Sequence, residues 1–163
     1  MVKIINGDIL DSQSNIIAHQ VNCQGVMGSG VAKAIRDNYP YVYKCYREYV
    51  KENTPKGVFG FCQLVPILSP TDTTLPKIPP NRYIANLFGQ FNYGYNGDCY
   101  TNIDKLRSAM LALNEFAEKK NYSVCFPYKI GCVRGGANWD EVYQMICNIF
   151  KNVDVEIRRL DRG

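Results

Sequence analysis

"NCQGVMGSGVAKAI", Asn22 to Ile35, places three glycines within six residues and then runs straight into a helical pattern. Gly25, Gly28 and Gly30 stand too close together to suit a strand or a helix, because glycine weakens both. Directly before them lies "NIIAHQV" (15–21), a short β-branched run. The unit is therefore strand, glycine-rich turn, helix. Such a turn needs glycine either for tightness alone or because the backbone must approach a ligand that side chains would block.

The same alternation runs outward in both directions. "VKIIN" (2–6) reads as a strand ending at Gly7-Asp8, and "GVAKAIRDNYP" (30–40) as a helix closed by Pro40. "YVYKCYREYVKEN" (41–53) carries Val42, Cys45, Tyr46, Tyr49 and Val50 at helical spacing, and "GVFGFCQLVPI" (57–67) reads as extended. Four of the eight prolines fall between Ser69 and Asn81, which marks an excursion loop. "RYIANLFGQ" (82–90) is again a strand, followed by the Tyr- and Gly-rich loop 91–100.

Thr101 is the expected cap of a long helix whose apolar face carries Ile103, Leu106, Met110, Leu113 and Phe116. "YSVCFPY" (122–128) is nearly all apolar, as a strand buried on both faces would be. A second glycine-bearing loop, "KIGCVRGGAN" (129–138), leads into the helix "WDEVYQMICNIF", and "VDVEIRRL" forms a last strand. Strands alternating with helices predict an α/β protein, a three-layer α/β/α sandwich around a mixed sheet. The 163 residues are expected to form one domain, 1–163.

Composition narrows the function classes. Apolar residues make up 46% and charged residues 21%, with a net charge of only +4. The basic residues are dispersed rather than striped, so general nucleic-acid binding is not expected. Seven cysteines lack any C-x-x-C pair, which argues against a disulfide framework and a structural zinc site. No metal and no cofactor are expected. Without a signal-like apolar run or a bilayer-length segment, the reading is cytoplasmic, with no membrane partner.

Two strand–glycine–helix loops in one chain favour a ligand over a mere turn. Helix N-termini offer unpaired N–H groups and a positive dipole end, so the guest is a phosphate, and paired loops suit a diphosphate. The spacing G-x-x-G-x-G is not the dinucleotide fingerprint, and no G-K-[ST] is present.

"NGDIL", "IIAHQVNCQGVMGSGVAKAI", "YIANLFGQ" and "IGCVRGGANW", in that order, resemble the macrodomains. The likeness is greatest to the subgroup that processes ADP-ribose-1''-phosphate, related to the terminal ADP-ribose glycohydrolases. It implies a cleft for ADP-ribose or an ADP-ribosyl derivative, with ADP-ribosylated macromolecules as further partners. Asp8 matches the acid that accepts from the adenine amino group, with Ile9 donating from its backbone; a plain turn residue is the competing reading of Asp8. Gly28, Ser29, Gly30 and Val31 match the first phosphate loop. Ile130, Gly131, Cys132, Val133, Arg134 and Gly135 match the second. Asn22 and Gln24 fall where the family contacts the distal ribose, and Phe88, Gly89 and Gln90 end a strand facing the cleft.

The glycohydrolase relatives place a nucleophilic lysine and an aspartate where this chain has Gln90 and Gly135, so lysyl-adduct chemistry is not expected. His19, the only histidine, is a candidate proton relay, or else a hydrogen-bonded strand residue. Asn22 is the second catalytic candidate. Asn138 stands where the subgroup has an acid and is read as a helix cap, and Cys132 as a shaper of its loop. Tyr93, Tyr95 and Tyr100 are candidates to cover the cleft or to stack on a base, with an ordinary loop as the alternative. The resemblance thus implies a hydrolase acting at the distal ribose through water, on ADP-ribose-1''-phosphate or an ADP-ribosylated adduct. The alternative is a non-catalytic binder of ADP-ribose or a related NAD-derived nucleotide.

Overall fold

A computed structural model describes residues 1–67, 81–94 and 96–160. Among these residues six strands form one sheet: β1 (Val2–Asn6), β2 (Ile16–Gln20), β3 (Cys62–Pro66), β4 (Tyr83–Leu87), β5 (Val124–Pro127) and β6 (Val155–Arg159). Their order is β1-β6-β5-β2-β4-β3, and every pair is parallel except β3 with β4. The helices are α1 (Gly30–Asn38), α2 (Pro40–Asn53), the short α3 (Pro55–Val58), α4 (Ile103–Lys120) and α5 (Trp139–Ile149).

Central β2 explains the layering. Successive side chains of a strand point to opposite faces. Ile16 and Ala18 pack with Leu106 and Met110 of α4 and with Val142 and Ile146 of α5. Ile17 packs the other way, against Ile35 of α1 and Val42 of α2. Both faces are thus covered, and the three-layer α/β/α sandwich with a mixed sheet is the observed architecture. A third apolar cluster, including Met27, Tyr46 and Phe88, lies beneath the first glycine loop.

Three local expectations shift. Pro40 does not close a helix but opens one: α1 stops at Asn38, and Pro40 is the first residue of α2. Tyr39 between them has left the helical region (φ −132°, ψ 71°), as a residue before proline tends to. Gly57 and Val58 end α3, so the extended run begins only at Cys62. Asn102, not Thr101, caps α4, its side chain accepting the Lys105 N–H at 3.1 Å. Thr101 is drawn into the site instead. The proline-rich segment falls almost wholly on residues 68–80, outside the described residues.

Candidate functional site

The cleft opens where parallel strands end and helices begin, the usual ligand position in such sheets. It encloses about 470 Å³, a small-molecule size. Its floor is the exit of β2, from His19 to Asn22, together with Gln90 beyond β4 and Pro127 at the end of β5. One wall is the first glycine loop and the start of α1, with Gly28, Ser29, Gly30 and Val31. The facing wall is the second loop, with Ile130, Gly131, Val133, Arg134 and Gly135. Tyr93, 48% exposed, joins the rim.

The first loop is held open from below. The Asn22 Oδ1 accepts the Gln24 N–H at 2.9 Å, and its Nδ2 donates to the Val26 carbonyl at 2.7 Å. Beneath it, the Tyr46 hydroxyl donates toward the Asn22 carbonyl and Oδ1 (2.8 and 2.9 Å) and accepts the Val26 N–H at 3.1 Å. Burial pushes the Tyr46 phenol well above its usual range, so it stays protonated. Most of the Asn22 amide is therefore committed to loop shape. Gly30 starts α1 with φ +59°, a left-handed conformation that glycine tolerates. Ser29 before it makes no side-chain cap among the described residues, and Gly30, Val31 and Ala32 of the first turn of α1 line the cleft.

The second loop hangs on a polar network that sequence did not reveal. Gln20 Nε2 donates to Gln90 Oε1 at 2.7 Å and to Thr101 Oγ1 at 2.8 Å. Thr101 Oγ1 donates on to the Gly131 carbonyl at 2.7 Å, and Gln90 Nε2 to the Asn92 carbonyl at 2.8 Å. A Cβ on Gly135 would overlap Thr101 Oγ1 and the Gly131 carbonyl. No side chain fits there without moving the loop.

His19 is 1% exposed, and Asn86 Oδ1 lies 2.6 Å from its Nε2. Loss of hydration lowers its pKa to about 4, with the Asn86 bond opposing the shift, which disfavours the charged ring at neutral pH. The Cys132 Sγ bonds to the Ile130 carbonyl, and burial raises its pKa to about 11. That fits the loop-shaping reading and not a thiolate nucleophile. Asn138 caps α5, its side chain accepting the Glu141 N–H at 3.1 Å.

Several expected ligand residues lie outside the cavity lining. Asp8 Oδ1 caps a short 3-10 turn by accepting the Leu10 N–H at 3.0 Å. Ile9 is buried in the Ile17–Ile35 cluster, against which the cleft residue Val31 also packs. Gln24 is exposed and donates to the Phe91 carbonyl. Phe88 is fully buried, stacked on Tyr46 at 5.8 Å, and Gly89 and Cys132 are not among the lining residues. Tyr100 donates to Asn96 Oδ1 away from the cleft, and Tyr95 lies outside the described residues.

Missed lining residues include Tyr128 and Lys129, whose signal was only their place between β5 and the glycines. Tyr128 also meets the ring of Trp139 edge-on, 5.1 Å between centroids. Among the described residues no group of three His, Cys, Asp or Glu could hold a metal, and no helix is long and apolar enough to cross a membrane.

Several other proteins are similar to this chain. An ADP-ribose 1''-phosphate phosphatase from Debaryomyces hansenii is 28% identical across 99% of this chain and 100% of its own length. One of the same name from Scheffersomyces stipitis is 33% identical over 54% of this chain; the match spans only 55% of that relative. In three dimensions, the Thermosipho africanus DarTG solved in complex with ADP-ribose superposes with a TM-score of 0.78 at 22% identity, over 99% of this chain and 42% of that one. The Macro domain family model matches residues 18–146. That match begins on β2 and runs through both loops into α5, over every wall of the cleft, and the chain belongs to the macrodomain family.

Proposed function

We propose that this macrodomain, acting as one unit over 1–163, binds ADP-ribose derivatives and hydrolyses them at the distal ribose through an attacking water. The observation that carries the reading is the pair of glycine-bearing loops facing each other across one cleft. First-turn N–H groups of α1 without a side-chain cap, next to a loop with little side-chain bulk, suit a diphosphate. The names of the yeast relatives and the ADP-ribose in the DarTG complex point to the same ligand class.

On this reading Gly28 to Val31 and Ile130 to Gly135 hold the diphosphate. Asp8 and Ile9, beyond Val31, serve the adenine end, while Asn22 and Gln24 shape the loop beside the distal ribose. The remaining Nδ2–H of Asn22 is its contribution to the ligand. Gln90 is no nucleophile, and its amide is held between Gln20 and Asn92. Gly135 supplies no acid, so a water-mediated route fits this floor better than a lysyl adduct. Electrostatic stabilisation by fixed N–H dipoles then contributes most of the rate. ADP-ribosylated macromolecules fall within the same substrate class, and seven free thiols suit a reducing cytoplasm.

The test is incubation of the purified protein with ADP-ribose-1''-phosphate and with ADP-ribosylated adducts, the products being separated by chromatography. Release of ADP-ribose supports the reading. Binding without turnover of any substrate makes the protein a reader of ADP-ribose instead.

A further inference from the structure

Three polar side chains stand in a row across three adjacent strands beneath the cleft. His19 on β2 is the register partner of Asn86 on β4, which is the partner of Gln63 on β3. All three point to the α1–α2 face, and their hydrogen bonds run in one direction. Gln63 Nε2 donates to the carbonyl of Cys45 in α2 at 3.1 Å. A backbone carbonyl can only accept, so Gln63 must turn its Oε1 the other way, where Asn86 Nδ2 donates to it at 3.0 Å. Asn86 is thereby left with its Oδ1 toward His19 Nε2, at 2.6 Å. An amide oxygen cannot donate, so Nε2 carries the ring's proton.

A neutral imidazole has one N–H, and here it is used. Nδ1 is then a bare lone pair. It is buried and has no partner among the described residues, although His19 lines the cleft. A buried acceptor without a donor is unfavourable, and the cleft that His19 lines is where a donor can come from. A phosphate oxygen there would set lone pair against lone pair, whereas a neutral O–H would donate into it.

We propose that the Cys45–Gln63–Asn86 chain locks His19 in the Nε2–H tautomer so that Nδ1 serves as a dedicated acceptor for a neutral O–H donor in the cleft, either a sugar hydroxyl or water. Asn86 and Gln63 are positioning residues in this arrangement. The inference rests on the reading of the cleft as an ADP-ribose site for the identity of the sugar, but not for the tautomer.

His19 is the only histidine among the 163 residues, so its two ring nitrogens can be followed without ambiguity by long-range proton–nitrogen correlation. The free protein should show a protonated Nε2 and an unprotonated Nδ1. Asn86→Leu should convert this to a mixture of tautomers in a protein whose amide spectrum remains folded. Saturation with ADP-ribose should move Nδ1 toward the hydrogen-bonded position and leave Nε2 in place. If ADP, which lacks the distal ribose, does not do this, the donor is a distal-ribose hydroxyl. In that case Asn86→Leu should also weaken ADP-ribose binding about 2- to 10-fold. An Nδ1 already at the hydrogen-bonded position in free protein, and unmoved by either nucleotide, makes the donor water. A protonated Nδ1, a tautomer mixture in wild type, or an Nδ1 with the shift of a free lone pair at saturation overturns the proposal. Amide shifts of Gly28 to Val31 gauge the cleft separately. If they ignore ADP-ribose, the ligand reading fails while the tautomer result stands.

Discussion

Burying His19 gives the fold a dependence on acidity that can be worked out with its sign. Its folded pKa is depressed to about 4 from 6.5, chiefly by lost hydration. Between those values the unfolded chain binds the proton and the folded one does not. The stabilisation is therefore complete above pH 6.5 and is lost as pH falls toward 4. Integrated over the window it amounts to about 3 kcal/mol. We predict that denaturant midpoints of wild type drop more between pH 7 and 4.5 than those of His19→Gln, which keeps a neutral side chain throughout. Carboxylates titrate in both proteins, so the difference isolates the histidine. Equal slopes would mean that His19 protonates freely in the fold. A histidine on a β-branched strand is legible in sequence as buried or relaying. What sequence could not supply was the pair on neighbouring strands, since Asn86 and Gln63 lie 67 and 44 positions away.

The glycine loops were readable as elements, because glycine clusters between a strand and a helix have few other uses. Their contents were less so. Thr101 looks like a helix cap by type, yet Asn102 takes that place because the Thr101 hydroxyl is recruited by Gln20 and Gly131. Gln20 itself gave no sign, being one more residue at a strand end. Asp8 matched a family pattern, but its Oδ1 is occupied in a turn and it lies outside the cavity lining. Two substitutions test the loops. Gly30→Val puts a β-branched residue at φ +59° on the cleft wall, where, among the described residues, nothing beyond its chain neighbours and its own helix backbone lies within 4 Å of the new Cβ. The strain is thus in the backbone and the obstruction in the ligand's space. We predict a folded protein whose thermal midpoint no longer responds to ADP-ribose; a full response would reduce the loop to a turn. Gly135→Asp, by contrast, strikes Thr101 and Gly131. It should cost about 1–3 kcal/mol without creating a catalytic acid, as measured by urea unfolding alongside turnover.

At the scale of the whole molecule, five strands run parallel, and the cleft sits at the C-terminal ends of the central ones. Its walls come from segments more than a hundred residues apart, the first loop before α1 and the second before α5. A ligand bridging them ties distant parts of the chain together and stabilises only the folded state. At a hundredfold excess over Kd that amounts to about 2.7 kcal/mol. For a chain of this size the midpoint should rise by roughly 5–10 °C, read by scanning fluorimetry with ADP-ribose. No shift at that excess would show that the loops do not act as one site. The alternation of strand and helix made this architecture legible, since each buried run could be assigned a layer. The join between α1 and α2 was misplaced because proline signals a boundary without saying which helix it belongs to.

The edge-on contact between Tyr128 and Trp139 also gives the protein an optical property. Trp139 is the sole indole of the chain, and its ring touches that of Tyr128, which lines the cleft. Its emission responds to the polarity and the neighbours of that ring. Displacing cleft water against Tyr128 therefore changes the light that Trp139 returns. Titration with ADP-ribose should alter the emission with the same midpoint that calorimetry gives, and Tyr128→Ala should uncouple the two. The macrodomain then carries a built-in fluorophore that reports occupancy of its own cleft without any label.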